Sequence, residues 1–160
     1  MKFEEIYQNY WQKVFRLAMG YVNDHDLAKD LTQDVFIIVY QKLSTFNKQS
    51  SIGTWIFRIA SNTCLRSVEK RQKHQTTELP QNLSASENQF EDNDQIKFLY
   101  QCISTLSEID RLIISLELEE VPQNEIAEIV GLSNGNVRTK IHRIKEKLNK
   151  KMSRYEYSRS

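Results

Sequence analysis

Between Ser133 and Arg154 the chain carries Arg138, Lys140, Arg143, Lys145, Lys147, Lys150, Lys151 and Arg154 against a single Glu146. Val137, Ile141, Ile144 and Leu148 recur through the same stretch at steps of 4, 3 and 4. One side of a helix there is apolar and the other cationic. Such a helix fits the major groove of duplex DNA, which is wide enough to admit it. A solvated basic face on an ordinary helical hairpin is the bland alternative, and the residues just upstream weigh against it. Glu125, Ile126, Ala127, Ile129 and Val130 make a short packed unit behind Pro122, a good first-turn residue. Gly131 suits the left-handed conformation that ends a helix, and Ser133 suits the cap of the next one. Ala127 is small enough for two backbones to approach closely. Together these spell a helix-turn-helix over residues 122–150.

Two further clusters lie upstream. In TWIFRIASNTCLR, Arg58, Asn62 and Arg66 stand four residues apart and share a helix face, with Thr54 and Trp55 one turn earlier beside the loop from Phe46 to Ser51. Rings that stack on bases, guanidiniums that hold phosphates and a loop that pockets an unstacked base suit a single nucleic-acid strand. An exposed helix whose Trp55 and Ile59 belong to the core explains the same spacing. In DLTQDVF, Asp30, Gln33 and Asp34 lie on the outer side of a helix whose Leu31 and Val35 face inward. That strip is either a dock for a basic partner helix or a solvated face.

The elements that must position these clusters are all helical. Gly and Pro number only 4 and 2 in 160 residues, and the apolar share of 39% is enough for small cores. Ile6, Tyr10, Val14, Leu17 and Tyr21 predict a helix from Phe3 to Val22. Asn23 to Asp26 is a turn in which Asp24 or Asp26 caps a second helix ending near Leu43. Ser44 to Ser51 has no period and predicts a loop. A third helix follows from about Ile52 to Arg71, with Ile52, Trp55, Ile56, Ile59, Ala60 and Thr63 inward. Residues 72–91 are rich in Gln, Ser, Thr, Asn and Glu, and predict a flexible linker with too little apolar surface to offset its ordering entropy. Helices resume near Asp92, with Ile96, Leu99, Tyr100 and Ile103 on one stripe. Ser107 and Asp110 resemble a capping box, and the last helix is expected to fray near Tyr155. The expected architecture is all-α: residues 1–71, a tether over 72–91, and residues 92–155.

Net charge is only +1, so its distribution carries the signal. Glu108, Asp110, Glu117, Glu119, Glu120, Glu125 and Glu128, against Arg111 alone, place an acidic patch directly before the basic helix. Free in solution, the two halves could fold against each other and this patch could then shield basic surface elsewhere, but the sequence does not give their relative placement. Cys64 and Cys102 have no metal-ligand spacing and point to a reducing compartment. No signal peptide is evident and no run approaches the ~18 apolar residues of a membrane span, so a cytoplasmic protein without membrane insertion is expected. His25, His74 and His142 are scattered, and no Gly-rich phosphate loop, metal site or nucleophile motif is present. No enzymatic activity, cofactor or metal is expected.

The stretches FEEIYQNYWQKVFRLA, DLAKDLTQDVF, SSIGTWIFRIASNT, LSEIDRLIISL and EIAEIVGLSNGNVRTKIHRIKEKL, in this order, resemble the extracytoplasmic-function sigma factors, small two-domain sigma subunits of bacterial RNA polymerase. The likeness covers the chain apart from the linker and the tail after Met152. It implies sigma region 2 in the first half and sigma region 4 in the second. Asp30, Gln33 and Asp34 would dock on core polymerase. Asn47, Lys48, Gln49, Ser50 and Ser51 would capture an extruded base of the −10 element, with Trp55, Arg58, Asn62 and Arg66 along the melted strand. Ser133, Asn134, Asn136, Arg138, Thr139, Lys140, His142 and Arg143 would face the −35 element. Backbone N–H groups at the polar start Asn134-Gly135-Asn136 suit a phosphate. The linker would thread toward the polymerase channels, and family habit implies an anti-sigma partner. The loop FNKQSS is this chain's own, so its preferred base is not legible. The rival is a conventional helix-turn-helix regulator binding duplex DNA without polymerase. It needs a dimer interface or ligand pocket, and the first half signals neither.

Overall fold

The computed structural model describes residues 2–73 and 93–159, and among them there is no strand. Helix α1 (Phe3–Val22) and helix α2 (His25–Lys42) form an antiparallel pair, joined where Asn23 takes the left-handed conformation (φ 46°) and returns its N–H to Met19 O. Asp24, not Asp26, is the cap: its carboxylate accepts from Leu27 N at 3.0 Å. A 3₁₀ turn (Leu43–Thr45) closes α2 and leads through a loop to α3 (Ile52–Lys73). The expected break at Arg71 falls inside α3. The rest of the expected tether, from residue 74, lies outside the described residues.

In the second half, α4 (Asp94–Ser104) is capped by Asn93, whose side chain accepts from Ile96 N at 3.1 Å. Helix α5 (Glu108–Leu118) is capped by Ser107 Oγ, accepting from Asp110 N at 3.3 Å. The reciprocal arm of a capping box is replaced by another contact: Asp110 Oδ1 accepts from Lys140 Nζ at 3.2 Å. Then come α6 (Gln123–Val130) and α7 (Asn134–Arg159), the latter four residues longer than the expected fraying point at Tyr155.

The stripes set the packing. Ile6, Val14, Leu17 and Tyr21 of α1 are buried as expected, but so are Phe15, Ala18, Met19 and Gly20. Helix α1 is buried on two sides because α2 and α3 cover one and α4 and α5 the other. The two halves therefore share one continuous apolar core. Gly20 makes the crossing possible, since a Cβ there would overlap Ser115 Oγ of α5. Arg16 of α1 pairs with Glu119 just past α5. Arg111 of α5 donates from Nε to Tyr21 O at 2.9 Å and from Nη1 to Leu106 O at 2.8 Å.

Candidate nucleic-acid interface

The helix-turn-helix forms as the residue pattern dictates. Pro122 stands at the cap position (φ −57°, ψ 142°), one residue before α6 rather than inside it. Gly131 is left-handed (φ 75°) and donates its N–H to Ala127 O at 2.9 Å. Ser133 Oγ accepts from Asn136 N at 3.1 Å and starts α7. Ile126 and Ala127 of α6 and Val137, Ile141, Ile144 and Leu148 of α7 are buried against α5 and each other. The opposite side of α7 presents Asn134, Asn136, Arg138, Thr139, His142 and Arg143, all exposed, with exposed Ser133 at its head. His142 Nε2 lies 3.2 Å from Glu146 Oε1 one turn on. Lys140 differs from this group. It is half-buried and its ammonium is held by Asp110, so it braces α7 against α5. Lys145 does the same with Glu117 at 2.7 Å.

The first half presents a different surface. Arg58, Asn62 and Arg66 are all exposed on one face of α3, as their spacing requires. Trp55 is half-buried and packs against Phe46, ring centres 5.1 Å apart. Trp55 thus joins the core and keeps an open edge. Ile59 is likewise half-buried. In the loop, Asn47 Oδ1 accepts from Gln49 N at 3.3 Å and Lys48 takes the left-handed conformation (φ 63°). Asn47, Lys48, Gln49 and Ser51 are exposed and Ser50 half-buried. Ser51 serves the backbone: its Oγ accepts from Thr54 N at 3.1 Å and so caps α3. Beside the loop is an open cleft of about 590 Å³ lined by Leu43, Phe46, Lys48, Ser50 and Ile52. That lies within the ~300–1,000 Å³ typical of small-ligand sites. The lining role of Leu43 and Ile52 escaped the sequence pattern, because each also satisfies a helical stripe.

One contact joins the two surfaces. Ser51 Oγ donates to Thr54 Oγ1 at 3.0 Å, and Thr54 Oγ1 donates to Glu125 Oε2 at 2.6 Å. Arg58 Nη2 lies 3.4 Å from Glu128 Oε2. Both carboxylates belong to α6, so the first helix of the helix-turn-helix abuts the polar face of α3. Their pairing with Thr54 and Arg58 had no local signal, since 70 or more residues separate the partners.

On α2, Asp30, Gln33 and Asp34 are exposed while Leu31, Thr32, Val35 and Phe36 are buried. The strip continues into exposed Ile37 and Tyr40. Among the described residues no group of three His, Cys, Asp or Glu side chains is placed to hold a metal, and no helix is long and apolar enough to cross a membrane.

Two family models match the chain in order: Sigma-70 region 2 over residues 6–74 and Sigma-70, region 4 over residues 99–148. The RNA polymerase sigma factor YlaC of Bacillus subtilis is 30% identical over 159 residues, covering 94% of this chain and 92% of that protein. This chain belongs to the extracytoplasmic-function sigma factors of the sigma-70 family. The ECF RNA polymerase sigma-E factor of Escherichia coli K12 is 29% identical over 159 residues, spanning 89% of this chain and 82% of the relative. Among solved structures, the sigma factor RpoE of Bartonella quintana, in complex with the anti-sigma factor NepR, superposes with a TM-score of 0.76 at 20% identity. The match covers 94% of this chain and 96% of that one. CnrH, in complex with the cytosolic domain of CnrY, gives 0.66 at 18% identity. These two likenesses show a shared fold that takes in both helical units of the sigma factor.

Proposed function

We propose that this sigma factor binds bacterial core RNA polymerase in the cytoplasm, brings it to promoters and helps open the −10 element, and that the chemistry is the polymerase's and not its own. The observation carrying this reading is the pairing, in one chain, of regions 2 and 4 of the sigma-70 family. Residues 1–71 are the polymerase and −10 module, 72–91 the linker, and 92–155 the −35 module.

Asp30, Gln33 and Asp34 dock on polymerase; their support is an exposed polar strip on a helix whose other side is packed. Asn47, Lys48, Gln49, Ser50 and Ser51 surround an extruded base, supported by the adjoining cleft and its aromatic wall Phe46. Trp55, Arg58, Asn62 and Arg66 follow the melted strand by stacking and phosphate contact. Unpairing costs a few kcal/mol per base, and these contacts offset it. Ser133, Asn134, Asn136, Arg138, Thr139, His142 and Arg143 read the −35 duplex, with Lys140 at the margin. An anti-sigma partner is part of the proposal, supported by the fold shared with RpoE, whose structure holds the anti-sigma factor NepR, and with CnrH, whose structure holds the cytosolic domain of CnrY.

In vitro transcription tests this. Purified chain is added to core polymerase on genomic fragments and the 5′ ends of transcripts are mapped. Discrete start sites dependent on the chain are expected. Tight binding to duplex DNA without polymerase, and no transcript with it, would instead establish a conventional regulator.

A further inference from the structure

Away from the seam between its two halves, the molecule carries a line of cations that −35 reading does not use. Helix α7 runs for 26 residues, about 39 Å at ~1.5 Å per residue. Its proposed base readers end at Arg143. Asn136, Thr139 and Arg143 stand at steps of 3 and 4, and Lys147, Lys150 and Arg154 continue them at steps of 4, 3 and 4. Helical periodicity puts all six on one line, and all six are exposed. The region 4 match ends at residue 148, so Lys150 and Arg154 lie beyond it.

The cations of α7 divide into two sets. Lys140 is held by Asp110, Lys145 by Glu117, and Lys151 donates to Thr105 Oγ1 at 3.1 Å. These three brace the helix from its inner flank. Lys147, Lys150 and Arg154 have no ion pair among the described residues. Between Arg143 and Arg154 the only carboxylate in the sequence is Glu146, and it lies 3.2 Å from His142. Lys147 and Lys151, like Lys150 and Arg154, are like-charged pairs four residues apart, a spacing that weakens a helix. Contacts with α4 hold the helix against that repulsion. Tyr155 stacks on Phe98, ring centres 4.3 Å apart and planes 13° apart. Gln95 donates to Glu156 at 3.4 Å, and Arg159 lies 3.9 Å from Asp94. The molecule thus keeps an unneutralised line of charge in fixed register.

A helix seated in the major groove by its first residues cannot stay in the groove for 39 Å. The groove is ~12 Å wide, and residues 134–143 alone span about 15 Å. Beyond them a straight rod meets the phosphate strand bordering the groove, as the C-terminal end of a homeodomain's reading helix does. The line faces the same way as Arg143, so its cations meet that strand. We propose that Lys147, Lys150 and Arg154 are a phosphate rail, which grips the DNA backbone flanking the −35 element whatever its sequence, while α4 keeps the three in register. The rail rests on the reading of α7 as the −35 helix. Continuity with Arg143 assigns the line to duplex DNA rather than to an acidic protein surface.

The salt dependence of binding tests the rail. Core polymerase carrying the full chain is bound to a promoter fragment mapped by the transcription experiment, and affinity is followed from about 50 to about 200 mM KCl. Lys147→Ala with Lys150→Ala and Arg154→Ala is compared with the parent. A control, Lys2→Ala with Lys13→Ala and Lys97→Ala, removes the same charge from exposed positions off α7. Alanine suits an exposed helix position, and circular dichroism checks that helicity is kept. Each phosphate neutralised contributes about 0.9 to the slope of log affinity against log salt. Loss of the rail is expected to flatten that slope by about 2–3, so that over this range the parent loses about fortyfold more affinity than the variant. The ranking of −35 sequences is expected to stay as in the parent, because phosphate contacts carry no base information. An unchanged slope, an equal flattening in the control, or a changed ranking each overturns the rail. The sigma reading fails separately, if the parent chain starts no transcript with polymerase. The three proteins are then compared without polymerase on a short duplex of arbitrary sequence, where the same difference in slope decides the rail.

Discussion

Arg16 and Glu119, 103 residues apart, meet in a two-point ion pair: Nε to Oε2 at 2.9 Å and Nη2 to Oε1 at 2.8 Å. The Glu119 side chain is 8% exposed and that of Arg16 35%, so the carboxylate is the desolvated partner. The fork of a guanidinium matches a carboxylate at two points, which fixes the angle between the helices as well as their contact.

Glu119→Ala leaves the part-buried Arg16 guanidinium without the carboxylate that holds it at two points. A loss of about 1–3 kcal/mol in urea unfolding is expected, with little further loss when Arg16→Ala is added. Strict additivity of the two changes in a double-mutant cycle would show that the pair contributes nothing across the seam.

Arg143 and Lys140 lie three residues apart on α7 but differ in commitments. Arg143 is exposed, whereas Lys140 is held by Asp110. Arg143→Ala is expected to cost ~1–3 kcal/mol of promoter binding and to relax selection at one position of the −35 element. Lys140→Ala is expected to weaken all promoters alike and slightly. Competition assays with randomised −35 sequences check the contrast; equal loss of selection in both variants would erase it.

Asp34→Lys reverses a charge on the exposed side of α2 while Val35 and Leu31 keep their burial. Affinity for core polymerase should fall about tenfold through lost charge complementarity, with helicity and thermal midpoint unchanged. Normal co-purification with polymerase counts against the docking strip.

Alkaline pH should loosen the packing in which Tyr21, Tyr100 and Cys64 are buried. Burial pushes Tyr21 up to about 12, helped by nearby Glu108 and Cys64 and opposed by Arg111. It does the same to Tyr100, where Glu119 adds and Arg16 opposes. Burial also lifts the Cys64 thiol to about 12. All three hold their protons more tightly folded than unfolded. Their contribution is therefore complete below the ordinary values of 9.0 and 10.0 and is lost as pH climbs toward about 12. In an absorbance titration, two of the seven tyrosines should ionise late and together with a rise in radius of gyration. Uniform titration near pH 10 would contradict this.

Local pattern revealed what local physics decides. The stripe of α7, the Gly131 turn and the Ser133 cap each depend on residues a few positions apart, and each formed as expected. The second buried side of α1 did not announce itself. Ala18 and Gly20 count as weakly apolar, and a helix apolar over so wide an arc blurs the single stripe by which one face is recognised. Asp110 looked like the far end of a capping box, but the ammonium of Lys140 competes for it from 30 residues away. The acidic patch was visible as a patch. Its pairing with Thr54 and Arg58 joins residues 71 and 70 positions apart, which no local window of sequence contains.

A rod coated with oil along two sides is never at ease with only one of them covered. When the halves swing apart, α1 and α5 each bare a strip that water disfavours. Solitary opened molecules should then stick to one another as concentration rises, or close again. The resting shape thus protects the chain's solubility as much as it limits its reach, and only a large host surface makes the extended shape durable.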